Sequence, residues 1–393
     1  MRVKDVILRA MSGELTWIRA AEILGISDRS MRRWRWRMEK YGYEGLLDRR
    51  RHVPSPRRVP VKVLEQVLRL YRTRYQGFNV RHFHSILKRE HKFEHSYTLV
   101  RMALQEAGLV RKKRARGPHR LRREPRASFG EMLHLDGSDH AWLALRPETR
   151  QCMMVVVDDA TSQLLYAQLV EHEDGHSAMS ALYSVISTHG LPMALYTDRA
   201  SWAVYTARKG EAPEPGHLTQ VGRALRRLGI EHILGYSPQA RGRSERANGT
   251  LQGRLVNELR VARISTLEAA NRYLRQRFIP IYNEEFGRKP TDPANAFVPV
   301  GRVDVDQILC HEEERTVSRD NAVSFEGKRL QIRKQAGLRT CAGREVVVRR
   351  HLDDSHSVWM GECCLGRSDR LGRAKEAETR SLEAGKCLAS AAA

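Results

Sequence analysis

This 393-residue chain is poor in several features that mark other classes of protein. Its six cysteines form no Cys-x-x-Cys pair, and no paired histidines lie near a cysteine pair, which argues against a structural zinc site. No apolar run is long enough to cross a bilayer, and the residues after Met1 lack the apolar core of a signal peptide. We therefore expect an intracellular protein with reduced thiols and no membrane partner.

Acidic residues are also scarce. The chain has 46 of them against 69 lysines and arginines, which gives a formal charge of +23 and a pI of about 10.2. An excess of this size indicates a polyanionic partner, and we expect double-stranded DNA. A basic surface that serves only solubility is the alternative, and the clustering of the charge disfavours it. Hydrophobic residues make up 41% of the chain, which is enough to build real cores in about two to four domains.

Residues 1–52 have the pattern of a helix-turn-helix domain. Gly25 and Ser27 separate two amphipathic segments, and Ser27 is a suitable cap for the second segment. That second segment has an apolar stripe from Met31 to Met38. Its other faces carry the basic side chains that we predict to contact DNA: Arg29, Arg32, Arg33 and Arg35. A helical hairpin with a solvated basic face is the alternative interpretation.

A second helical domain is predicted at residues 61–110, after a proline-rich linker at residues 53–60. Its last helix, at residues 97–107, has Arg101 as its one basic residue, and we predict that Arg101 contacts DNA. Because one arginine is a weak signal, a second helix-turn-helix and a helical domain that serves only packing both remain open.

Residues 111–127 form a basic linker with few acids. We predict that it follows DNA phosphates, because a flexible basic segment can become ordered along a nucleic-acid backbone. A disordered, solvated linker is the alternative. The residues at its start that we expect to bind phosphate are Lys112, Lys113 and Arg114.

The hydrophobic pattern changes at residue 128. Residues 128–290 contain short apolar runs that alternate with helical segments, which predicts an α/β layer with a mixed sheet. Residues 291–360 contain short strands near glycine turns, which predicts a small β-barrel or sandwich. We expect residues 361–393 to form a disordered polar tail. The whole chain is therefore predicted to be a multidomain α/β protein.

Three acids in the α/β region each lie at the boundary of a predicted element. Asp136 and Asp198 each end a short apolar run, and Glu245 lies early in a predicted helix. Carboxylates in such positions can hold two divalent ions around a phosphodiester. Hard oxygen ligands favour Mg²⁺. Three further acids lie near enough to be rivals, although they are more often turn or strand-end residues: Asp139, Asp158 and Asp159.

The sequence around Glu245 resembles a known family. Residues 236–239 (Tyr-Ser-Pro-Gln) and 242–248 (Gly-Arg-Ser-Glu-Arg-Ala-Asn) resemble the glutamate motif of the retroviral-integrase-like transposases, the DDE superfamily. Residues 133–136 and 195–199 resemble the two aspartate strands of that superfamily. The helical front and the β-rich end of the chain are similar to bacterial insertion-sequence transposases of the ISNCY type.

The resemblance implies a ribonuclease H-like catalytic core in which Asp136, Asp198 and Glu245 bind two Mg²⁺ or Mn²⁺ ions. It implies that the protein binds the terminal inverted repeats of an element, cleaves DNA strands there and joins them to target DNA. It also implies a homo-multimer on DNA, in the bacterial cytoplasm at the nucleoid. Phosphate contacts near the glutamate are assigned by the same resemblance to Arg241, Arg243, Arg246 and Asn248.

The chain departs from the family pattern at two places. Arg199 follows the second aspartate where many relatives have Asn, and residues 202–217 lengthen the interval to Glu245. These departures bear on the geometry of the helix and strand and not on the identity of the triad. Two other functions are also kept open. One is a DNA-binding regulator with an inactive core, and the other is a metal-dependent DNA nuclease. Products distinguish the three, since a regulator only binds DNA, a nuclease degrades it and a transposase joins ends to a target.

Overall fold

The structure is a computed structural model that describes residues 3–47, 59–111, 123–206, 217–235, 242–335 and 339–375. Its chain divides into two compact units, residues 1–69 and residues 70–393. Within the described ranges, no helix is both long and apolar enough to cross a membrane.

The first unit begins with three helices and a short 3₁₀ segment, Gly42–Leu46. The helices are α1 (Val3–Met11), α2 (Trp17–Leu24) and α3 (Asp28–Tyr41). Gly25 ends α2 in the left-handed region at φ 65°, where glycine has no steric penalty. The Ser30 amide then donates to Ser27 Oγ at 3.3 Å, so Ser27 caps α3 as predicted. Apolar side chains of all three helices share one core.

Three further helices follow: α4 (Val61–Thr73), α5 (Val80–His91) and α6 (Tyr97–Glu106). Asn79 caps α5 and Ser96 caps α6, each by accepting from a backbone amide of the first turn. In the second unit, α5 and α6 pack together around Phe83, Val100 and Leu104, which are all fully or nearly fully buried.

A five-stranded mixed sheet forms the centre of the second unit, with strand order β4-β3-β2-β5-β6. Its strands are β2 (Met132–His140), β3 (Gln151–Asp158), β4 (Leu164–Val170), β5 (Ala194–Thr197) and β6 (Glu231–Leu234). β3 is antiparallel to both of its neighbours, whereas β2, β5 and β6 are parallel. Every residue of β3 is buried, as in a strand that is covered on both faces. The predicted mixed sheet is confirmed.

Helices cover both faces of this sheet. One face carries α7 (Gly175–His189) and α8 (Gln220–Leu228), and the other carries α9 (Ser244–Val261), α10 (Leu267–Tyr273) and α11 (Ile279–Phe286). A π-helical turn, Leu274–Phe278, joins α10 to α11. A short parallel pair, β1 (Ser128–Phe129) with β7 (Asp292–Asn295), lies outside the sheet. Two separate apolar cores result, one on each face.

The first strand of the sheet is longer than predicted. Asp136 was expected to end it, but β2 continues to His140. The reason is that β3 pairs with β2 along its whole outer half, up to the pair His140 and Gln151. The parallel partner β5 pairs only as far as Leu135. Asp136 is therefore the first residue of β2 beyond the parallel ladder. The length of β2 depends on its pairing with β3, which the local sequence does not predict.

The C-terminal region follows a short helix, α12 (Val305–Ile308), and has four strands in one antiparallel sheet. These are β8 (His311–Thr316), β11 (Glu345–Arg350), β12 (His356–Met360) and β13 (Cys363–Ser368). The hairpin of β9 (Ala322–Phe325) and β10 (Lys328–Gln331) packs on this sheet, and both layers share one core. The described residues form an open sheet with a hairpin over it, so a closed barrel is not confirmed.

The predicted disordered tail at residues 361–393 needs correction. Residues 363–368 are β13, which pairs with β12 along its length, and Leu365 is 1% exposed in the shared core. The polar composition concealed this strand because a β-strand needs only alternate apolar residues to contribute to a core. Residues 376–393 lie outside the described part of the chain, as does most of the predicted linker at residues 53–60.

Candidate active site

Asp136 and Asp198 lie side by side at the carboxyl end of the parallel β2–β5 pair. Leu135 of β2 pairs with Thr197 of β5 in this ladder, and each aspartate is the residue that directly follows. Adjacent strands are about 4.8 Å apart and residues in register share a face, so the two carboxylates start from neighbouring positions. Asp136 is 5% exposed, and the Ala200 amide donates to Asp198 Oδ1 at 2.9 Å. The structure thus brings the two predicted aspartates together.

Helix α9 places Glu245 near this pair. Asn248 Nδ2 donates to Asp136 Oδ2 at 3.0 Å, and one turn later Gln252 Nε2 donates to Ser138 Oγ at 3.0 Å, so α9 lies along β2. Glu245 is exposed and lies three residues before Asn248, an axial rise of about 4.5 Å. Across the described ranges, no three His, Cys, Asp or Glu residues are close enough to hold a metal ion together. Glu245 therefore lies on the helix that contacts Asp136, but among the described residues it does not form a metal-binding cluster with the two aspartates.

The donor atoms of this region fit a hard divalent cation. Asp136, Asp198 and Glu245 offer only oxygen, the ligand that Mg²⁺ prefers. Asn248 adds another oxygen, since its buried Oδ1 has no hydrogen-bond partner in the part of the chain that the structure describes. A buried acceptor without a partner is costly, and this one belongs to the amide that holds Asp136. A cation or its water would satisfy it.

Glu173 is an acid near the site that the sequence analysis missed. Trp202 Nε1 donates to Glu173 Oε1 at 2.7 Å. The carboxylate lies against Gly137, where an added Cβ would meet Glu173 Oε2 at 2.3 Å. Burial raises the pKa of Glu173, the Trp202 hydrogen bond opposes this, and the charges of Asp198 and Asp136 raise it further. The available signal was its position, after β4 at the same sheet edge as Asp136.

The rival acids have other surroundings. Asp158 accepts from the amides of Gly130 and Thr161 at 2.9 and 2.7 Å, which is a turn role. Asp159 is fully buried and accepts from His134 Nε2 at 2.7 Å and from Arg243 Nε at 2.6 Å. Burial alone would raise the pKa of Asp159, but these hydrogen bonds and nearby charges hold it below its ordinary value. The third rival, Asp139, is exposed on β2.

The residues predicted to contact DNA divide into exposed and buried groups. The exposed ones are Arg29, Arg32, Arg33, Arg35, Arg101 and Arg246. Two others are not placed as predicted, because Arg243 is 11% exposed and paired with Asp159, and Asn248 is 8% exposed and bonded to Asp136. Both side chains are engaged in contacts within the protein, Arg243 at the N-terminal cap of α9 and Asn248 early in the helix. Four predicted contacts lie outside the described residues: Lys112, Lys113, Arg114 and Arg241.

Comparison with known proteins gives matches over most of the chain. The family model described as "Helix-turn-helix domain" matches residues 4–52, which confirms the prediction for residues 1–52. The transposase y4bF of Sinorhizobium fredii is 31% identical over 363 residues, which cover 91% of this chain and 78% of that protein. The transposase for insertion sequence IS1202 of Streptococcus pneumoniae is 29% identical over 361 residues, covering 83% of this chain and 76% of that protein.

Solved structures match at lower similarity. The HTLV-2 integrase catalytic core domain in complex with magnesium has 19% sequence identity and a TM-score of 0.28, and the match covers 38% of this chain and 89% of that one. The Mos1 strand transfer complex has 14% identity and a TM-score of 0.29, with 72% of this chain and 90% of that one covered.

Proposed function

The chain belongs to the family of insertion-sequence transposases, and from that premise we propose that Asp136, Asp198 and Glu245 form its catalytic metal site. The site cleaves DNA at the ends of the element and joins the freed 3′ ends to target DNA. The core around the site is ribonuclease H-like, which the order of its mixed sheet supports.

One observation carries this proposal. Asp136 and Asp198 each follow directly on the last paired residues of the parallel ladder, Leu135 and Thr197, and the amide of Asn248 joins Asp136 to the helix that carries Glu245. We infer that the three carboxylates, which come from distant parts of the chain, act together at the carboxyl end of this ladder. Charged groups are rarely gathered in this way for stability alone, because like charges repel and each desolvated carboxylate is costly.

The side chains have distinct tasks in this proposal. Asp136 and Asp198 hold two Mg²⁺ or Mn²⁺ ions from the sheet edge, and Glu245 completes the ligand set from α9. When bound, the ions activate the attacking oxygen and stabilise the leaving 3′ oxygen of an in-line displacement. Asn248 fixes the orientation of Asp136 through its 3.0 Å hydrogen bond.

DNA recognition belongs to several segments. The exposed arginines of α3 contact the terminal inverted repeats, partly at base edges in the major groove. The basic residues at 111–127 contact phosphates and supply affinity without sequence preference. Because two element ends must meet one target, the active form is a homo-multimer on DNA. Such a reaction takes place in the bacterial cytoplasm, on nucleoid DNA.

The test is a product assay with three variants, D136N, D198N and E245Q. Purified protein, Mg²⁺, labelled element ends and a circular target are incubated, and joined products are separated from cut and intact DNA. Wild type is expected to join ends to the target, and each variant is expected to bind ends normally while losing both cleavage and joining. Removal of one carboxylate charge disrupts a two-metal site without removing the DNA-binding surfaces.

The other functions give different products. Binding without any cut product from wild type, at every Mg²⁺ and Mn²⁺ concentration, would indicate a regulator with an inactive core. Progressive degradation without joining would indicate a nuclease. Full joining by any one variant would remove that residue from the proposed site.

A further inference from the structure

Asp159 gathers groups from three distant segments around one buried carboxylate. It lies in the turn after β3 and is fully buried. His134 Nε2 of β2 donates to it at 2.7 Å, and Arg243 Nε at the start of α9 lies 2.6 Å from it. From the segment that precedes the core, the Arg126 amide donates at 2.7 Å and the guanidinium of Arg123 forms an ion pair with it.

The position of Asp159 is itself fixed by the sheet. Its amide donates to the carbonyl of Met132 at 3.0 Å, which ties the turn to the start of β2. A carboxylate accepts up to about four hydrogen bonds, and the groups around that of Asp159 are two guanidinium groups, an imidazole and a backbone amide. Because an unpaired buried charge is strongly unfavourable, loss of any one donor is resisted. The buried carboxylate of Asp159 therefore links β2, the start of α9 and the segment that precedes the core.

The start of α9 depends on this carboxylate. Arg243 is the residue at the N-terminal cap of α9, and its side chain makes no capping hydrogen bond to the helix. Its carbonyl instead accepts from the Ala247 amide at 2.9 Å, while its guanidinium is held by Asp159. Since Glu245 is only two residues further on, the ion pair fixes the part of the helix from which Glu245 projects.

We propose that Asp159 is a positioning residue that anchors the first turn of α9 through Arg243 and so sets the position of Glu245. The inference rests on the proposed function, because it treats Glu245 as a metal ligand. The same carboxylate binds Arg123 and the Arg126 backbone, so the basic segment before the core is attached to the point that holds the glutamate helix.

The neighbouring Asp158 offers a matched control. It is equally buried, but its carboxylate accepts from Thr161 of its own turn and from the Gly130 amide just before β2, and neither donor belongs to α9. A substitution of Asp158 changes a buried carboxylate of the same turn without removing the ion pair to α9. Any effect common to D158N and D159N is therefore general damage to the core.

The experiment compares D159N, D158N and wild type in two measurements on the full chain without DNA. Amide hydrogen exchange is followed at residues 247–251, whose helical hydrogen bonds reach back to the first turn of α9. Mn²⁺ affinity is measured by calorimetric titration of the same proteins. We expect D159N to accelerate exchange at residues 247–251 and to weaken Mn²⁺ binding about 10- to 100-fold, as loss of a group that orients a ligand does. D158N is expected to match wild type in both measurements.

Variants of Arg243, the partner of Asp159 at the start of α9, test the same ion pair from its other side. R243A should reproduce the effects of D159N, and R243K should recover part of the Mn²⁺ affinity because it restores the charge opposite Asp159. If D159N does not fold, the two Arg243 variants carry the comparison. Unchanged exchange at residues 247–251 in D159N and R243A would overturn this inference and leave the proposed function intact. Faster exchange with unchanged Mn²⁺ affinity would overturn it by removing Glu245 from the metal site, which is a failure of the proposed function.

Discussion

At the scale of single residues, the site is built from acids whose positions are set by uncharged partners. Asn248 holds Asp136 by an amide hydrogen bond, and Trp202 holds Glu173 by its indole. Gly137 leaves the space in which the Glu173 carboxylate lies. These contacts keep carboxylates close to one another that would otherwise turn away, because neighbouring like charges repel.

Gly137 gives a prediction at this scale. In G137A the new Cβ would lie 2.3 Å from Glu173 Oε2, so the end of the Glu173 side chain must shift, and we expect it to lose its hydrogen bond from the Trp202 indole. We expect the free energy of unfolding to fall by about 1–3 kcal/mol, the cost of leaving a buried polar group unsatisfied. Denaturant unfolding measures this. The control is G249A on α9, where a Cβ meets nothing within 4 Å and the helix should gain about 0.5–1 kcal/mol.

An unfolding free energy of G137A equal to that of wild type would show that the Glu173 carboxylate is not held against this strand. A loss of the same size in G249A would show that the assay reports general damage to the region.

The sequence singles out Asp136, Asp198 and Glu245 as candidates because each lies in a local motif. It did not identify Glu173 or Asp159 as partners, since their contacts depend on strand order and on the packing of α9. The same limit explains Arg243 and Asn248. Their motif and spacing were visible, but only the fold shows that they face the core.

At the scale of elements, α3 was predictable from the sequence because its determinants are local. Ser27 caps it, Met31 and Met38 are buried, and its arginines remain exposed. The extension of β2 and the existence of β13 were not predictable in this way. Each depends on a partner strand that supplies hydrogen bonds to residues of weak strand propensity.

The exposed face of α3 leads to a prediction about DNA reading. Replacement of Arg32 and Arg33 with Ala should lower affinity for element ends by about 1–3 kcal/mol per lost base contact and relax end specificity. Affinity for scrambled DNA should fall less, because phosphate contacts carry no sequence information. Binding titrations on both DNAs at several salt concentrations measure this.

The matched control is R9A, which removes a charge from α1 of the same unit, where Arg9 lies 3.8 Å from Glu14. It should leave the ratio of the two affinities unchanged. Equal losses on both DNAs in the Arg32 and Arg33 variant would make α3 a phosphate clamp rather than a reader of sequence.

At the scale of the whole molecule, α5 is attached through a buried polar pair to α9, the helix that carries Glu245. His82 Nε2 lies 2.7 Å from Glu258 Oε1, and Tyr273 Oη donates to the other carboxylate oxygen at 2.6 Å. Burial lowers the pKa of His82 even though the hydrogen bond to Glu258 opposes this. The imidazole is therefore neutral at pH 7, with its proton on Nε2. Its buried Nδ1 then carries no proton, and it has no hydrogen-bond partner among the described residues.

This pair predicts how stability depends on pH. The unfolded chain protonates His82 near its ordinary pKa of about 6.5, whereas the folded protein resists protonation, so stability falls as pH drops below that value. Burial lowers the pKa of His232 and His356 in the same direction. We expect the thermal midpoint to fall by a few degrees from pH 7.5 to 5.5, since about 1 kcal/mol shifts a large domain by about 2–4 °C.

The variant H82Q keeps an amide donor for Glu258 but cannot titrate. It should therefore show a smaller fall in midpoint over the same pH range, whatever its midpoint at pH 7.5. A wild-type midpoint that is constant or rises toward pH 5.5 would disprove the buried neutral histidine, as would an H82Q curve parallel to that of wild type.

The central claim, that one metal site joins the carboxyl end of the parallel β2–β5 ladder to the start of α9, is tested most directly by mapping the bound ion. Fe²⁺ is bound in place of Mg²⁺ to the protein on element-end DNA, and ascorbate and peroxide then cleave the backbone near the ion. The account predicts cuts around residues 136, 198 and 245, all suppressed by excess Mg²⁺ and lost in D136N. Cuts confined to other parts of the chain, or cuts at these positions that persist in D136N, would contradict it.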